Sequence, residues 1–139
     1  MQRRVISCLA ILVLAVTGNA GKSVEYRQDS VVLEGYLGDF KPPAGKSVSA
    51  VIVFHAWKGI GDQERWIVDS LSGEGIIAFA ADIYGKGIRP SSAAEAGKRA
   101  GSYRQNRPLL RSRALAGLNY LKGLPGVDTS AIVAIGFCF

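Results

Sequence analysis

The sequence Ile132-Val133-Ala134-Ile135 runs directly into Gly136-Phe137-Cys138-Phe139. Four consecutive apolar residues predict a short strand that is buried on both faces of a sheet. The glycine two residues before Cys138 is typical of a sharp, strained turn that follows such a strand and presents a reactive side chain. A side chain at Gly136 is expected to clash within that turn. This segment therefore predicts the type of sheet and the end of it at which chemistry takes place.

Two earlier apolar runs, residues 50–54 and 76–80, predict two more buried strands. Helical patterns separate the three runs along the chain. Residues 91–105 are rich in alanine, and Pro108 stands where a first helical residue is favoured. Strands that alternate with helices indicate an α/β fold, with an open and mostly parallel sheet covered by helices.

The helices have clear apolar faces. Asp62 is expected to be the N-cap of the first helix, which ends at Gly73. The residues expected on its apolar face are Trp66, Ile67 and Leu71. The stripe of the last helix is Leu110, Ala114, Leu118 and Leu121.

Residues 24–27 and 31–37 predict a strand hairpin at one edge of the sheet.

Residues 1–20 are interpreted as a secretory signal peptide. Arg3 and Arg4 precede an apolar run over residues 5–16, and Gly18-Asn19-Ala20 supplies small residues for cleavage after Ala20. The alternative is an uncleaved membrane anchor, but a spanning helix needs about 20 apolar residues. The sequence therefore predicts export to the periplasm or the exterior, with no stable membrane anchor after cleavage.

The chain has 17 basic and 11 acidic residues and a net charge of +6. The clustered basic residues are Lys98, Arg99, Arg104, Arg107, Arg111 and Arg113. Nucleic-acid modules interleave such residues with aromatic ones, and only Tyr103 lies nearby, so a solvated helical face is favoured. No cluster of metal ligands is evident, and neither a metal nor an organic cofactor is expected. Signal cleavage leaves Cys138 as the one cysteine, which either forms an intermolecular disulfide or is kept as a reactive free thiol.

Three motifs stand at the predicted carboxyl ends of the strands, where ligands bind in such sheets. They are His55-Ala56-Trp57-x-Gly59, Ala81-Asp82-Ile83-Tyr84-Gly85-Lys86-Gly87 and Ile135-Gly136-Phe137-Cys138-Phe139, with Val127-Asp128 between the last two. In this order and approximate spacing, the motifs resemble the dienelactone hydrolase family over residues 31–139. The motifs are far more specific together than any one of them alone.

The resemblance implies an α/β-hydrolase fold and a Cys-His-Asp triad in which Cys138 is the nucleophile. The family's Asp and His lie downstream of residue 139. Residues 21–139 are therefore expected to be the N-terminal part of an α/β-hydrolase domain, truncated at the nucleophile elbow. The oxyanion hole of this fold uses two backbone N–H groups, which by position are those of Trp57 and Phe139.

The resemblance also implies substrate contacts. Lys86 falls near the place where family members hold a substrate carboxylate, with Tyr84 beside it and Arg89 as a second candidate; a solvated loop lysine is the alternative. His55 lies in the wrong segment to be the triad base, which favours a structural or pocket-lining role over direct proton transfer. Ala56 replaces a carboxylate that engages the resting cysteine in many members.

The sequence thus predicts a hydrolase of small-molecule esters or lactones, incomplete without the downstream Asp and His. An exported, non-catalytic binding protein of the same fold is the alternative, because Ala56 departs from the family pattern. Nucleic acid is not expected as a partner.

Overall fold

The structure, a computed structural model, describes residues 20–139. The expected signal peptide therefore lies outside the described residues, apart from Ala20. The elements in chain order are β1 (Lys22–Gln28), β2 (Val31–Leu37), β3 (Val48–Phe54), α1 (Asp62–Gly73), β4 (Ile77–Ala81), α2 (Ala93–Gln105), α3 (Arg107–Lys122) and β5 (Val127–Gly136). In the described part of the chain, no helix combines the length and the apolar character that crossing a bilayer requires.

The five strands form one sheet in the order β1-β2-β4-β3-β5. The hairpin strands β1 and β2 are antiparallel, and β2 also pairs antiparallel with β4. The strands β4, β3 and β5 run parallel to one another. The predicted α/β class is confirmed, and so are the mostly parallel sheet and the antiparallel hairpin at its edge.

The central strands are buried because helices cover both faces of the sheet. Ala50 and Ile52 of β3 face the side that includes Leu121 of α3. The alternate residues Val51 and Val53 face the side that includes Val68 of α1. Side chains of a strand alternate between faces, so a strand covered on both faces must be apolar throughout. The apolar runs predicted for β3 and β4 have this cause.

The third apolar run differs from the prediction. Residues 132–135 belong to β5, but they are only half-buried to exposed, and Val133 is 58 % exposed. Within residues 20–139, β5 pairs with β3 alone and so lies at the edge of the sheet. The side chains of these residues show that the prediction of burial on both faces is wrong for β5 within residues 20–139.

Helix α1 corrects two expectations. Its N-cap is Gly61 and not Asp62. Trp66 is 69 % exposed, whereas the side buried against the sheet carries Glu64 and Val68. Ile67 and Leu71 of the predicted apolar face pack against the core as expected. Trp66 alone of the three departs from the prediction, because the buried side of the helix is centred on Glu64 and Val68.

The predicted stripe of α3 lies on the sheet side of the helix, with Leu121 fully buried and the other three residues half-buried. Of the clustered basic residues, Arg113 is also buried there and is 6 % exposed. The expected solvated face therefore does not include Arg113.

We predict opposite effects of two glycine substitutions in the helices. A Cβ at Gly117 of α3 would lie 2.7 Å from the Cβ of Ala81, so Gly117→Ala should overpack the helix against the sheet, at a cost of about 1–3 kcal/mol. A Cβ at Gly101 of α2 would lie in open space, with no neighbouring side chain of the described residues within 4 Å. Gly101→Ala should therefore stabilise the folded chain by about 0.5–1 kcal/mol. Thermal unfolding followed by circular dichroism measures both, and a Gly117→Ala protein that melts higher would contradict the close contact.

Candidate active site

The three sequence motifs meet at one edge of the sheet, where the parallel strands have their carboxyl ends. Phe54, the last residue of β3, pairs with Ala81 of β4 on one side and with Gly136 of β5 on the other. The segments that follow these strands, which begin at His55, Asp82 and Phe137, are therefore neighbours. This is the edge at which ligands bind in open α/β sheets.

Cys138 is exposed and carries a free thiol. The backbone N–H of Trp57 donates to the Cys138 carbonyl at 3.1 Å, and the N–H of Phe137 donates to the Phe54 carbonyl at 3.3 Å. The structure thus brings together two of the residues that the resemblance pairs, the nucleophile position and one donor position. The third, Phe139, packs its ring 5.6 Å from that of His55.

The turn around Cys138 lacks the strain that the sequence predicts. Among the described non-glycine residues, only Asp29 has a positive φ. A Cβ at Gly136 would meet nothing within 4 Å, so the expected clash is also absent. Strained backbone persists only where surrounding structure enforces it. The expectation of a strained turn is therefore wrong for this structure.

A buried carboxylate holds the loop that presents Trp57. Glu64 is 3 % exposed. Its Oε1 accepts the N–H of Ala56 at 3.2 Å, and its Oε2 accepts that of Gly61 at 2.8 Å. The chain between these two amides turns at Gly59, whose φ is +85° and whose N–H donates to the Ala56 carbonyl at 3.0 Å. The sequence gives no signal for this role of Glu64, because the loop contact depends on the tertiary fold.

His55 joins the loop to the segment after β4. Its side chain is fully buried. Nε2 accepts the N–H of Ile83 at 3.1 Å, which leaves the proton on Nδ1, and Nδ1 donates to the Ala56 carbonyl at 2.7 Å. Burial lowers the pKa of His55 below its ordinary value. His55 is therefore a neutral bridge between two main-chain segments, with both ring nitrogens engaged.

Tyr84 is also committed to the main chain. It is 2 % exposed, and its hydroxyl donates to the Trp57 carbonyl at 2.7 Å. Burial raises the pKa of Tyr84 to about 12, which keeps the hydroxyl protonated as a donor. In this geometry the predicted substrate ligand supports the Trp57 loop instead of exposing its hydroxyl to a ligand.

Asp82 fixes the segment after β4. It is fully buried, and its carboxylate accepts N–H groups from Glu34, Tyr84 and Gly85 at 2.9–3.1 Å. Arg89 lies 3.9 Å from the Asp82 carboxylate and 3.6 Å from that of Glu34. Hydrogen bonds to an ionised carboxylate are stronger than those between neutral groups. Asp82 therefore holds the segment after β4 against Glu34 of β2.

Lys86 lies away from Cys138. Its ammonium group is 2.5 Å from Glu25 Oε1 in β1, at the opposite edge of the sheet from β5. The hydrogen bond to Glu25 raises the pKa of Lys86. Both side chains of this ion pair are about half exposed, so the pair adds little to stability.

A cleft beside Phe54 carries positive charge. It has a volume of about 990 Å³ and is lined by Phe54, by leucines and alanine of α3, and by Arg104, Arg107 and Arg111. We call it the arginine cleft. Arg104 Nη1 lies 3.5 Å from the Phe139 carbonyl, so the cleft adjoins the segment of Cys138. The sequence alone predicts only a solvated helical face for these arginines. Within residues 20–139, no group of three His, Cys, Asp or Glu side chains is arranged to hold a metal ion.

Comparison with known proteins identifies the family of the chain. The profile of the Dienelactone hydrolase family matches residues 33–139. The chain belongs to the dienelactone hydrolase family. It is 38 % identical over 81 residues to a "Putative carboxymethylenebutenolidase" of Aquifex aeolicus strain VF5. The match covers 56 % of this chain and 33 % of that protein.

Solved structures of the dienelactone hydrolase type superpose on this chain. The protein m3DLH has a TM-score of 0.79 and 29 % identity, and the match covers 86 % of this chain and 49 % of that one. The dienelactone hydrolase-like promiscuous phosphotriesterase P91 from metagenomic libraries has a TM-score of 0.77 and 29 % identity over 87 % and 51 % of the two chains. The chain thus spans about half the length of these dienelactone hydrolase-like structures, and their sheets confirm the α/β-hydrolase fold.

We predict that burial of neutral His55 makes this chain less stable in mild acid. The folded-state pKa is depressed, so below a pH of about 6.5 the unfolded chain binds a proton that the folded chain refuses. The free energy of unfolding should then fall by up to about 1.4 kcal/mol for each pH unit below that value.

Urea unfolding of the wild-type chain and of His55→Asn across this pH range measures the effect. The wild type should lose more stability than the variant, which has no titrating ring. Equal losses in the two proteins would contradict the assignment of a neutral buried imidazole.

Proposed function

We propose that the protein containing this chain hydrolyses small-molecule esters or lactones with Cys138 as the nucleophile. The observation that carries the proposal is Cys138 at the carboxyl end of β5, where its thiol is free and exposed and its carbonyl accepts the Trp57 N–H. Membership of the dienelactone hydrolase family and the likeness to a protein named carboxymethylenebutenolidase support the same reaction class.

In the proposed reaction, the Cys138 thiolate attacks the acyl carbon and forms a carbon–sulfur bond. The carbonyl electron pair moves to the oxygen, which accepts hydrogen bonds from the Trp57 and Phe139 amides. Collapse of this intermediate breaks the ester carbon–oxygen bond, and the alcohol or enol leaves with a proton from the base. Water then hydrolyses the thioester and releases the acid. Loss of one oxyanion donor typically lowers kcat by about 10²- to 10³-fold.

The Trp57 amide is occupied in this structure by the carbonyl of Cys138, 3.1 Å from its nitrogen. For the Trp57 N–H to donate to a substrate oxygen, that carbonyl has to turn away. Rotation of the backbone at Cys138 into a strained, positive-φ conformation would accomplish this. We propose that the complete active site holds Cys138 in this strained form, which leaves the Trp57 N–H available to a substrate oxygen.

The base comes from outside residues 1–139 in this proposal. His55 is the one histidine of the chain, and both of its ring nitrogens are engaged by the main chain. An imidazole beside a cysteine lowers the thiol pKa and accepts its proton. The family's downstream His and Asp are the groups suited to that task, and no metal or organic cofactor enters the reaction.

The arginine cleft favours substrates that carry a carboxylate, such as enol-lactones. Arg104, Arg107 and Arg111 line one cavity next to the Cys138 segment, and a guanidinium binds a carboxylate through two parallel hydrogen bonds. Lys86 remains a predicted ligand of the same group, but its ion pair with Glu25 would first have to break.

Export through the signal peptide also remains a proposal.

We predict that Cys138→Ala and Cys138→Ser in the full-length protein lower kcat for nitrophenyl acetate by at least about 10³-fold, since removing a nucleophile leaves only binding and oxyanion stabilisation. Ser102→Ala, a small change on an exposed part of α2, should leave kcat unchanged. Mass spectrometry of quenched wild-type reactions should find the acyl group on Cys138.

Near wild-type turnover by Cys138→Ala would refute the nucleophile. If the full-length wild-type protein instead bound esters without turning them over, the alternative of a non-catalytic binding protein would hold.

We also predict that residues 21–139 alone show no esterase activity, because their only imidazole is buried and engaged. The measurement is nitrophenyl acetate hydrolysis by the purified fragment, with Cys138→Ser fragment as the control for background reaction. Turnover by the fragment that disappears in the control would show that a base within residues 21–139 suffices.

A further inference from the structure

The peptide unit between Ala56 and Trp57 is held at both ends. At its carbonyl end, the Ala56 oxygen accepts two hydrogen bonds, from His55 Nδ1 at 2.7 Å and from the Gly59 N–H at 3.0 Å. At its other end, the Trp57 N–H points to Cys138. A trans peptide is planar, with its C=O and N–H in opposite directions. A group that fixes the Ala56 carbonyl therefore also fixes the direction of the Trp57 N–H.

We propose that His55 is a positioning residue for catalysis, which aims the Trp57 N–H at the reacting carbonyl through the hydrogen bond from Nδ1 to the Ala56 oxygen. The inference rests on the proposed function, in which the Trp57 amide is an oxyanion donor. His55 itself touches neither the substrate nor the thiol in this assignment.

The surroundings of the ring suit this task. The Ile83 N–H donates to Nε2 at 3.1 Å and so selects the tautomer that keeps a proton on Nδ1. The rings of Tyr84 and Phe139 lie 4.8 Å and 5.6 Å from the imidazole, between centroids. A fully buried ring with both nitrogens bonded has no alternative rotamer of similar energy. The segment after β4, through Ile83, is thus connected to the donor peptide.

Glu64 acts on a different peptide unit. Its carboxylate accepts the N–H of Ala56, which belongs to the His55–Ala56 peptide, and that of Gly61. It holds the loop as a whole, whereas His55 bonds the unit that carries the Trp57 N–H. Preorganised donors lower the barrier only when they are aimed at the developing charge, so the two residues should differ in their effect on kcat.

Two substitutions in the full-length protein separate the two bonds of the ring. In His55→Asn the side-chain amide nitrogen takes the place of Nδ1 and can donate to the Ala56 oxygen, but nothing accepts from Ile83. In His55→Gln the longer side chain can accept from Ile83, but it cannot place a donor on the Ala56 oxygen. Both variants lose one buried hydrogen bond, so they are a matched pair for stability.

We expect His55→Gln to lower kcat for nitrophenyl acetate by about 10- to 100-fold, part of the loss for a missing oxyanion donor, with KM little changed. His55→Asn should retain clearly more of the wild-type kcat. Alkylation of Cys138 by iodoacetamide forms no oxyanion, so its rate should be the same in both variants and the wild type.

Three outcomes would overturn the inference. They are wild-type kcat in His55→Gln, equal losses of kcat in the two variants, and losses of kcat that follow the alkylation rate and the melting temperature. These outcomes are distinct from failure of the proposed function, which is full activity in Cys138→Ala.

A further variant keeps the test decisive if His55→Gln does not fold. In His55→Ala, added formamide can donate an N–H within the vacated space but has no basic nitrogen. Recovery of kcat with formamide is expected. Recovery with imidazole but not with formamide would assign His55 to proton transfer and refute positioning.

Discussion

The parallel pairing of β3 with β4 and β5 is the constraint on which the site depends. Its register sets Phe54 beside both Ala81 and Gly136, so three chain segments far apart in sequence begin at one edge. Parallel strands must enter and leave the sheet by crossovers, and here α1 and the α2–α3 pair supply them on opposite faces. The candidate nucleophile and its donor loop are neighbours as a direct result.

Within that frame, buried polar side chains serve the main chain. His55, Glu64 and Asp82 are each almost inaccessible to solvent. In the loops after β3 and β4, the two carboxylates accept hydrogen bonds from backbone N–H groups, and His55 donates one to a backbone carbonyl. A loop that runs close to the core cannot rely on water for its backbone groups. Side chains that replace water also fix the direction of those groups, which is the requirement for donors that act on developing charge.

Much of the fold could be predicted from the sequence, because apolar runs such as residues 50–54 report burial on both faces locally. The motif order likewise predicted which segments meet. Trp66 and Gly136 could not be predicted in the same way. The exposure of Trp66 depends on which side of α1 faces the sheet, and the freedom around Gly136 depends on what surrounds the turn. The contacts of Glu64 with the loop and of Lys86 with Glu25 join residues brought together only by folding, so sequence spacing carried no signal for them.

The position of β5 has a consequence for residues 20–139 handled as a separate polypeptide. Along residues 132–135, one row of amide and carbonyl groups has no strand beside it within the described chain, and Val133 is largely exposed. Exposed, apolar strand edges act as templates for intermolecular β-pairing. Polypeptides that display this edge are thus prone to aggregate at high concentration, and a lysine introduced at Val133 is a natural gatekeeper against it.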